Sequence, residues 1–130
     1  MPKEMETIDS ASNGSFWIGT EGKVVQLELD NLKVLRTVDL FKGEKSSYGW
    51  IGAWDSYDDG NGRIWYGTWG LGLYRFEPRT GRVMNFRPSK QLAGLTYKAD
   101  ICRSVAGVGE DSLWVAGFRD GLLQFDTRTN

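Results

Sequence analysis

Residues 63–81 of the chain read RIWYGTWGLGLYRFEPRTG, and the fold can be inferred from them. A short apolar and aromatic run precedes a glycine-rich turn, and an alternating apolar–polar run follows it. Runs of this kind, bounded by Gly and Pro, are typical of β-strands. The final EPRTG places Pro and Gly where a tight chain reversal needs them. The stretch therefore predicts two antiparallel strands joined by a short turn, with a second turn after them.

The same pattern occurs three times along the chain. FWIGTEGKVVQLELD at residues 16–30 and LWVAGFRDGLLQFD at residues 113–126 align with the central copy. Trp17, Trp65 and Trp114 stand at the same position of each copy, with spacings of 48 and 49 residues. Self-similarity at a fixed period is the mark of a repeat architecture.

Each repeat predicts a run of short strands. First strands are predicted at 4–9, 51–57 and 101–108, second strands at 16–20, 63–68 and 112–116, third strands at 24–30, 73–77 and 122–126, and fourth strands at 34–39 and 83–87. No window shows a sustained 3.6-residue period, so little or no helix is expected. Four antiparallel strands in 40 to 50 residues are typical of a propeller blade.

The predicted fold is therefore all-β: a β-propeller fragment of about three four-stranded antiparallel blades, forming an open arc or part of a larger ring. The blades span about 4–40, 50–88 and 100–130, and the third lacks its outer strand. Trp17, Trp65 and Trp114 are expected to wedge between neighbouring blades. The recurring glycines, expected to serve close approach and turns, are Gly19, Gly67, Gly72 and Gly121.

Composition excludes several classes of function. The 130 residues have a net charge of −1, which gives no general attraction to nucleic acid or an anionic membrane. No run of 18 apolar residues is present for a membrane span, and the first residues do not resemble a secretion signal. With no histidine and one cysteine, histidine-dependent catalysis and Cys/His zinc sites are not available. No cofactor and no metal are expected.

The motif φ-W-φ-G-T-x-x-G-φ-φ-x-φ-D/E, in which φ is apolar, resembles the two-component regulator propeller repeat. The central copy is very close; the first is shortened in its turn, and the third has Ala-Gly for Gly-Thr. The resemblance implies part of the periplasmic propeller sensor of a hybrid histidine kinase, without catalysis of its own and responding to oligosaccharide. Phosphotransfer would then lie outside this segment. The alternatives are a purely structural or oligomerising propeller arc and a fragment of a propeller lyase, although the resemblance to such lyases implies a histidine that this chain lacks.

Three blades are fewer than the four to eight that close a typical propeller. The chain is therefore expected to be a piece of a longer sensor whose other blades complete the ring. Two other readings are a small protein that closes by pairing with its own copies, and a truncated gene product.

Strand order predicts that turns between second and third strands share one face with the links between blades. Five residues on this face are the predicted ligand-binding set: Tyr48, Trp69, Tyr97, Phe118 and Arg119. Aromatic planes suit sugar rings, and the arginine with nearby lysines suits an acidic sugar. Packing between blades is the alternative use of these aromatics. Trp50 and Trp54 are predicted to pack in the core.

Asp55, Asp58 and Asp59 lie close together before Asn61-Gly62. Paired carboxylates can act as acid and base, and carboxylate oxygens can hold calcium. Asp and Asn also form turns by bonding their own backbone, which is the preferred interpretation here. Cys102 aligns with Ala53 and Met5 and is predicted to be a small buried apolar residue.

Overall fold

The computed structural model describes residues 7–10, 15–20, 22–45, 51–91, 100–108, 111–117 and 121–126. Within these residues the chain forms eleven strands and one short helix. Their bounds are β1 Thr7–Ser10, β2 Ser15–Thr20, β3 Lys23–Glu28, β4 Val34–Val38, β5 Ala53–Asp58, β6 Ile64–Thr68, β7 Leu73–Glu77, β8 Arg82–Phe86, α1 Pro88–Gln91, β9 Cys102–Val108, β10 Ser112–Gly117 and β11 Leu122–Asp126.

The strands form three antiparallel sheets, in the orders β1-β2-β3-β4, β5-β6-β7-β8 and β9-β10-β11. We call these sheets blades 1, 2 and 3. The predicted all-β propeller fragment is confirmed. Most strand bounds differ from the predicted ones by one or two residues, and β7 and β11 coincide with the prediction. The helix α1 is a single turn in the link between blades 2 and 3.

Two apolar interfaces join the three blades. In the first interface, between blades 1 and 2, Trp17 meets Phe76 edge to face, with ring centroids 5.2 Å apart. In the second interface, between blades 2 and 3, Trp65 packs in one cluster with Val105, Leu113 and Val115. Each tryptophan is fully buried because its ring points from the second strand of one blade towards the next blade.

Trp114 is placed differently from Trp17 and Trp65. Its side chain is only half-buried, and on the same face of blade 3 Leu122 is 62% exposed. Among the described residues, blade 3 packs on blade 2 through its opposite face, which carries Leu113 and Val115. The tryptophan expected to lie between blades therefore lies on the last face of the described arc.

Two of the recurring glycines lie at positions where a side chain would collide with its surroundings. Gly67 lies in β6, where an added Cβ would stand 2.8 Å from the Cys102 carbonyl oxygen and 3.0 Å from Val105 Cγ2, so blade 3 can approach only a glycine. Gly72 has a φ of +81°, and a Cβ there would collide with the Phe86 carbonyl oxygen. Gly19 lies in β2 and Gly121 lies directly before β11, with a φ of +78°.

Candidate functional site

The strands of each blade run between two ends. One end of blade 2 has the β6–β7 turn at 69–72 and the links to blades 1 and 3, and we call it the link end. The other has the β5–β6 and β7–β8 turns, at 59–63 and 78–81, and we call it the hairpin end. Trp69, one of the five predicted ligand-binding residues, lies at the link end.

Trp54 does not pack in the core, so that prediction was wrong. The strand pairing shifts between Ala53 and Asp55, which pair with Thr68 and Gly67, and Trp54 is the extra residue of a β-bulge. Bulges break the alternation of side chains and turn one of them to a new direction. The Trp54 side chain is 45% exposed as a result.

Trp54 and Trp69 form an aromatic pair at the link end. Their ring centroids are 5.1 Å apart and their planes are inclined by 45°. Trp69 is half-buried and belongs to the β6–β7 turn, where the sequence placed it. The structure thus joins one residue of the predicted site to a tryptophan that had been assigned to the core.

Hydrogen bonds within the β6–β7 turn fix the position of Trp69. The Thr68 hydroxyl donates to the Gly72 carbonyl oxygen at 2.6 Å and accepts from the Leu71 N–H at 3.1 Å. The Asn85 amide adds a bond to the Leu71 carbonyl oxygen at 2.8 Å. The turn is therefore pre-organised, which reduces the ordering cost that binding would otherwise meet.

The same turn is bound to the start of blade 3. Trp69 forms an isolated antiparallel bridge with Ile101, and the N–H groups of Gly70 and Gly72 donate to the Asp100 carbonyl oxygen at 3.1 and 2.8 Å. The Asp100 carboxylate is buried and accepts from the Ser89 N–H and hydroxyl at 3.0 and 2.6 Å. The aromatic pair therefore lies at the junction of blades 2 and 3.

The three clustered aspartates divide into two roles. Asp58 accepts from Gly60 N at 2.9 Å, and Asp59 accepts from Asn61 N at 2.8 Å, so the turn interpretation is confirmed for both. Asp55 instead reaches blade 3, where its carboxylate accepts from Val105 N at 2.8 Å and from the Ser104 hydroxyl at 3.2 Å. Sequence reasoning missed this clamp across the second interface.

The other four predicted ligand-binding residues, Tyr48, Tyr97, Phe118 and Arg119, lie outside the described residues, as does Trp50. Blade 3 does contribute one side chain that had not been singled out. The pairing of β9 with β10 skips Arg103 between Cys102 and Ser104, so Arg103 occupies the bulge position that Trp54 occupies in blade 2. Its side chain is exposed near the link end.

A signal for the exposure of Trp54 was present in the repeat. The residue after Met5, Ala53 and Cys102 is Glu6, Trp54 and Arg103 respectively. Charged side chains are almost never fully buried without a partner. A position that holds Glu and Arg in two repeats is therefore a surface position in the third.

Cys102 is fully buried, as predicted, and free of disulfide bonds. Burial, with a smaller effect of Asp100, raises the pKa of the thiol to about 12. The thiolate is the nucleophilic form, so this cysteine is inert near neutral pH. Among the described residues, no group of three or more potential metal-ligating side chains forms. In the same residues no helix is long and apolar enough to cross a bilayer.

Comparison with known proteins gives fold neighbours and no sequence match. No protein-family model and no curated protein sequence matches the chain. The extracellular domain of the hybrid two-component system BT4673 from B. thetaiotaomicron is similar over 96% of this chain, with 16% identity and a TM-score of 0.67. That of BT3049 from the same organism is similar over 94%, with 21% identity and a TM-score of 0.61.

A third neighbour is PorZ, a bacterial surface component of the type-IX secretion system of Porphyromonas gingivalis. It is similar over 94% of this chain, with 18% identity and a TM-score of 0.66. The chain spans 14% of the BT4673 neighbour and 17% of the BT3049 and PorZ neighbours. These similarities establish the propeller-type fold.

Proposed function

We propose that this chain is part of a non-catalytic sensing module, the periplasmic propeller of a two-component histidine kinase, and that it responds to oligosaccharide. The observation that supports this most directly is the Trp54–Trp69 pair, held at the link end with Trp54 45% exposed. Two of the fold neighbours are extracellular domains of hybrid two-component systems.

The geometry of the pair suits stacking against a sugar. Pyranose rings present apolar faces edged by hydroxyls, and they bind where an aromatic plane stands beside polar groups. Because the ring centroids are only 5.1 Å apart, the two indoles contact each other, and a sugar ring would stack on the exposed part of Trp54. Arg103, exposed on the neighbouring blade, supplies hydrogen-bond donors for hydroxyl groups.

Signalling in this proposal is a matter of binding and not of chemistry. The pair lies on a turn that belongs to blade 2 and is hydrogen-bonded to Asp100 at the start of blade 3. A ligand that contacts Trp69 and Arg103 together would favour one relative placement of these two blades. A ligand shifts an equilibrium only by the difference in its affinity for the two states, so this contact is where such a difference would arise.

The proposal is tested by calorimetric titration with maltohexaose, cellohexaose, xylohexaose and a linear arabinan hexasaccharide. At least one should bind, and Trp69→Ala and Trp54→Ala should each weaken that binding by about ten-fold or more. Trp114→Ala removes a half-buried tryptophan from another face and serves as the matched control. The proposal fails if no hexasaccharide binds, if both variants bind as the parent does, or if the sugars are cleaved.

A second function, association through the last blade, is favoured by one observation. Trp114 is half-buried, and Leu122 on the same face is 62% exposed. Apolar faces of this kind mark interaction surfaces. Solution mass by light scattering separates the two functions, since association through this face predicts oligomers that Trp114→Glu returns to monomers. A parent chain that is monomeric at every concentration would exclude this second function.

A further inference from the structure

A cleft of about 610 Å³ opens at the hairpin end, between blades 1 and 2. Its lining includes Ser15, Gln26, Leu35, Arg63 and Arg79. The strand β6 runs from Ile64 beside this cleft to Thr68 beside Trp69, which at about 3.3 Å per residue separates the two regions by about 13 Å. The cleft is therefore distinct from the aromatic pair.

The floor of the cleft is polar. The Gln26 amide donates through Nε2 to the Ser15 hydroxyl oxygen at 2.9 Å. A primary amide has two N–H donors, and this bond engages one of them. Beneath them the Trp17 ring closes the cleft towards the first interface.

The walls are cationic and partly apolar. Arg63 is held in place by Asp59, whose Oδ2 accepts from Nε at 2.7 Å. Arg79 lies exposed in the β7–β8 turn, and among the described residues it forms no ion pair. Leu35 adds an apolar wall that is 48% exposed. Asp58 is the acidic residue of the lining, and its Oδ1 is engaged by Gly60 N in the turn.

A third arginine stands behind this wall. Arg36 lies over the Trp17 and Phe76 rings at 6.0 and 5.6 Å, and its Nη1 donates to the Pro78 carbonyl oxygen at 2.5 Å. It fixes the β7–β8 turn against blade 1 and adds positive potential to the cleft. Arg63 and Arg79 thus line the cleft, with Arg36 behind its wall, and within the described residues the only lining carboxylate is that of Asp58.

We infer that this cleft binds a small ligand in which a carboxylate is attached to an apolar or ring-shaped body. Arginine binds carboxylate through parallel N–H donors, and the amide and hydroxyl of the floor suit further oxygens. The exposed side chain of Leu35 suits the body of the ligand. The volume lies within the range of small-molecule sites.

Blade 3 offers an internal comparison for the charge requirement. Gln124 donates to the Ser112 hydroxyl at 3.3 Å, the same pair as Gln26 and Ser15, and it lines a cavity of about 390 Å³. There the flanking residues are Asp111 and Asp126 in place of arginines. The polar floor therefore recurs, and the arginines make the first cleft selective for an anion.

The test is calorimetric titration of the full chain with two carboxylate probes, glutarate and digalacturonate, and with two reference probes, glucose and sulfate. At least one carboxylate should bind, more weakly as sodium chloride is raised, and any binding of glucose should be unchanged by Arg79→Gln because it would occur at the link end. Binding of glutarate alone identifies a free organic acid, and binding of digalacturonate alone that Arg79→Gln weakens identifies an acidic sugar; either supports the inference. Binding of sulfate as tightly as of both carboxylates would overturn it, because the site would then select charge alone.

Arg79→Gln should weaken the carboxylate at least about ten-fold, and Arg82→Gln should leave the affinity unchanged. Arg82 is exposed in the same blade and does not line the cleft. Arg82→Gln removes the same charge and is therefore the matched control. Equal affinity in both variants, or no carboxylate binding by the parent, would overturn the inference. The hexasaccharide binding of the parent tests the link end separately, so either site can fail without the other.

Discussion

Both blade interfaces place an arginine near the buried tryptophan, but the arginine comes from a different strand in each. In the first, Arg36 lies 6.0 Å from the centroid of Trp17, and in the second, Arg75 lies 5.6 Å from that of Trp65. Arg36 comes from the fourth strand of its blade, is half-buried and donates to the Pro78 carbonyl oxygen. Arg75 comes from the third strand and is only 3% exposed.

The residues around Arg75 explain how the second interface accepts a buried charge. Its guanidinium carbon lies 5.6 and 5.8 Å from the centroids of the Trp65 and Phe86 rings, which pack 5.7 Å from each other, and Nη2 donates to the Met84 sulfur at 2.7 Å. Burial lowers the pKa of Arg75, and nearby Arg63 lowers it further. Blades 1 and 3 have Gln26 and Gln124 at this position. The repeat therefore keeps the aromatic wedge and allows the polar residue beside it to vary.

The second interface also positions the candidate site. Asp55 clamps blade 3 from the residue that follows Trp54, and the turn with Trp69 is hydrogen-bonded to Asp100. The first interface has the cleft at its hairpin end instead. The candidate sugar site therefore lies at the junction of blades 2 and 3, and the stabilities of the two junctions can be compared.

Removal of a wedge should have the largest effect. Trp65→Ala should lower the free energy of unfolding by about 3–5 kcal/mol, because a fully buried ring leaves a cavity between two blades. Trp114→Ala should cost about 1 kcal/mol or less, since this ring is half-buried. Urea denaturation followed by circular dichroism measures both. Equal losses would contradict the assignment of Trp65 to an interface and of Trp114 to an outer face.

The two arginines should differ in the same direction. Arg75→Ala should cost about 2–4 kcal/mol, because the cation–π contacts are lost and a cavity opens inside the interface. Arg36→Ala should cost about 0.5–1 kcal/mol, since cation–π contacts near solvent are weaker. Chemical denaturation at equal pH compares them. A larger loss for Arg36 would show that solvent exposure does not set the strength of these contacts.

Alkaline pH should weaken each interface through one buried group. Burial raises the pKa of Cys102 from 9.0 to about 12, and that of Tyr74 from 10.0 to about 12, with a smaller effect of Glu44 on Tyr74. Each group releases its proton more readily in the unfolded chain. Their contribution is therefore complete below about pH 9 and is lost as the pH rises towards 12, by about 1.4 kcal/mol per pH unit for each group.

Denaturation curves from pH 8 to 10.5 measure this loss. The free energy of unfolding of the parent should fall by about 2 kcal/mol between about pH 9 and pH 10.5 because of Cys102 in the second interface. Cys102→Ala should remove this fall. Tyr74→Phe should remove the smaller fall that begins near pH 10 in the first. If the free energy of unfolding decreased with pH equally in the parent and in both variants, the burial of the two groups would be contradicted.

The smallest of these effects concerns the clamp. Asp55→Ala should cost about 1–2 kcal/mol, because two hydrogen bonds to blade 3 are lost, one of them from the Val105 N–H. Asp58→Ala removes an exposed turn residue and should cost no more than about 0.5 kcal/mol. Thermal denaturation of the two variants gives the difference. If Asp58 proved the more important residue, the clamp would not support the junction.

The sequence predicted the architecture because the repeat encodes it in local signals. Alternating apolar residues and glycine-rich turns specify strands, and β7 and β11 begin and end where the pattern predicted. Trp69 could also be placed, since strand order alone assigns the β6–β7 turn to the link end. Cys102 could be recognised as buried because it aligns with Ala53.

The site itself was only half predictable, because a bulge depends on the pairing of two strands and not on one strand. Regular alternation assigns Trp54 to the core, and the shift between Ala53 and Asp55 overturns that assignment. The hydrogen bonds from Asp55 to blade 3 could not be predicted, because no local sequence pattern gives the distance between β5 and blade 3. The cleft at the hairpin end likewise arises from residues of two blades that come together only in the folded chain.

Hydrogen–deuterium exchange, measured with and without the hexasaccharide that binds most tightly, locates the ligand most directly. If the junction of blades 2 and 3 holds the oligosaccharide, protection should increase at residues 52–56, 68–72 and 100–104. Residues 58–63 and 78–81 at the hairpin end should exchange as before. Protection at the hairpin end, with none around Trp54 and Trp69, would contradict the assignment of the sugar site to this junction.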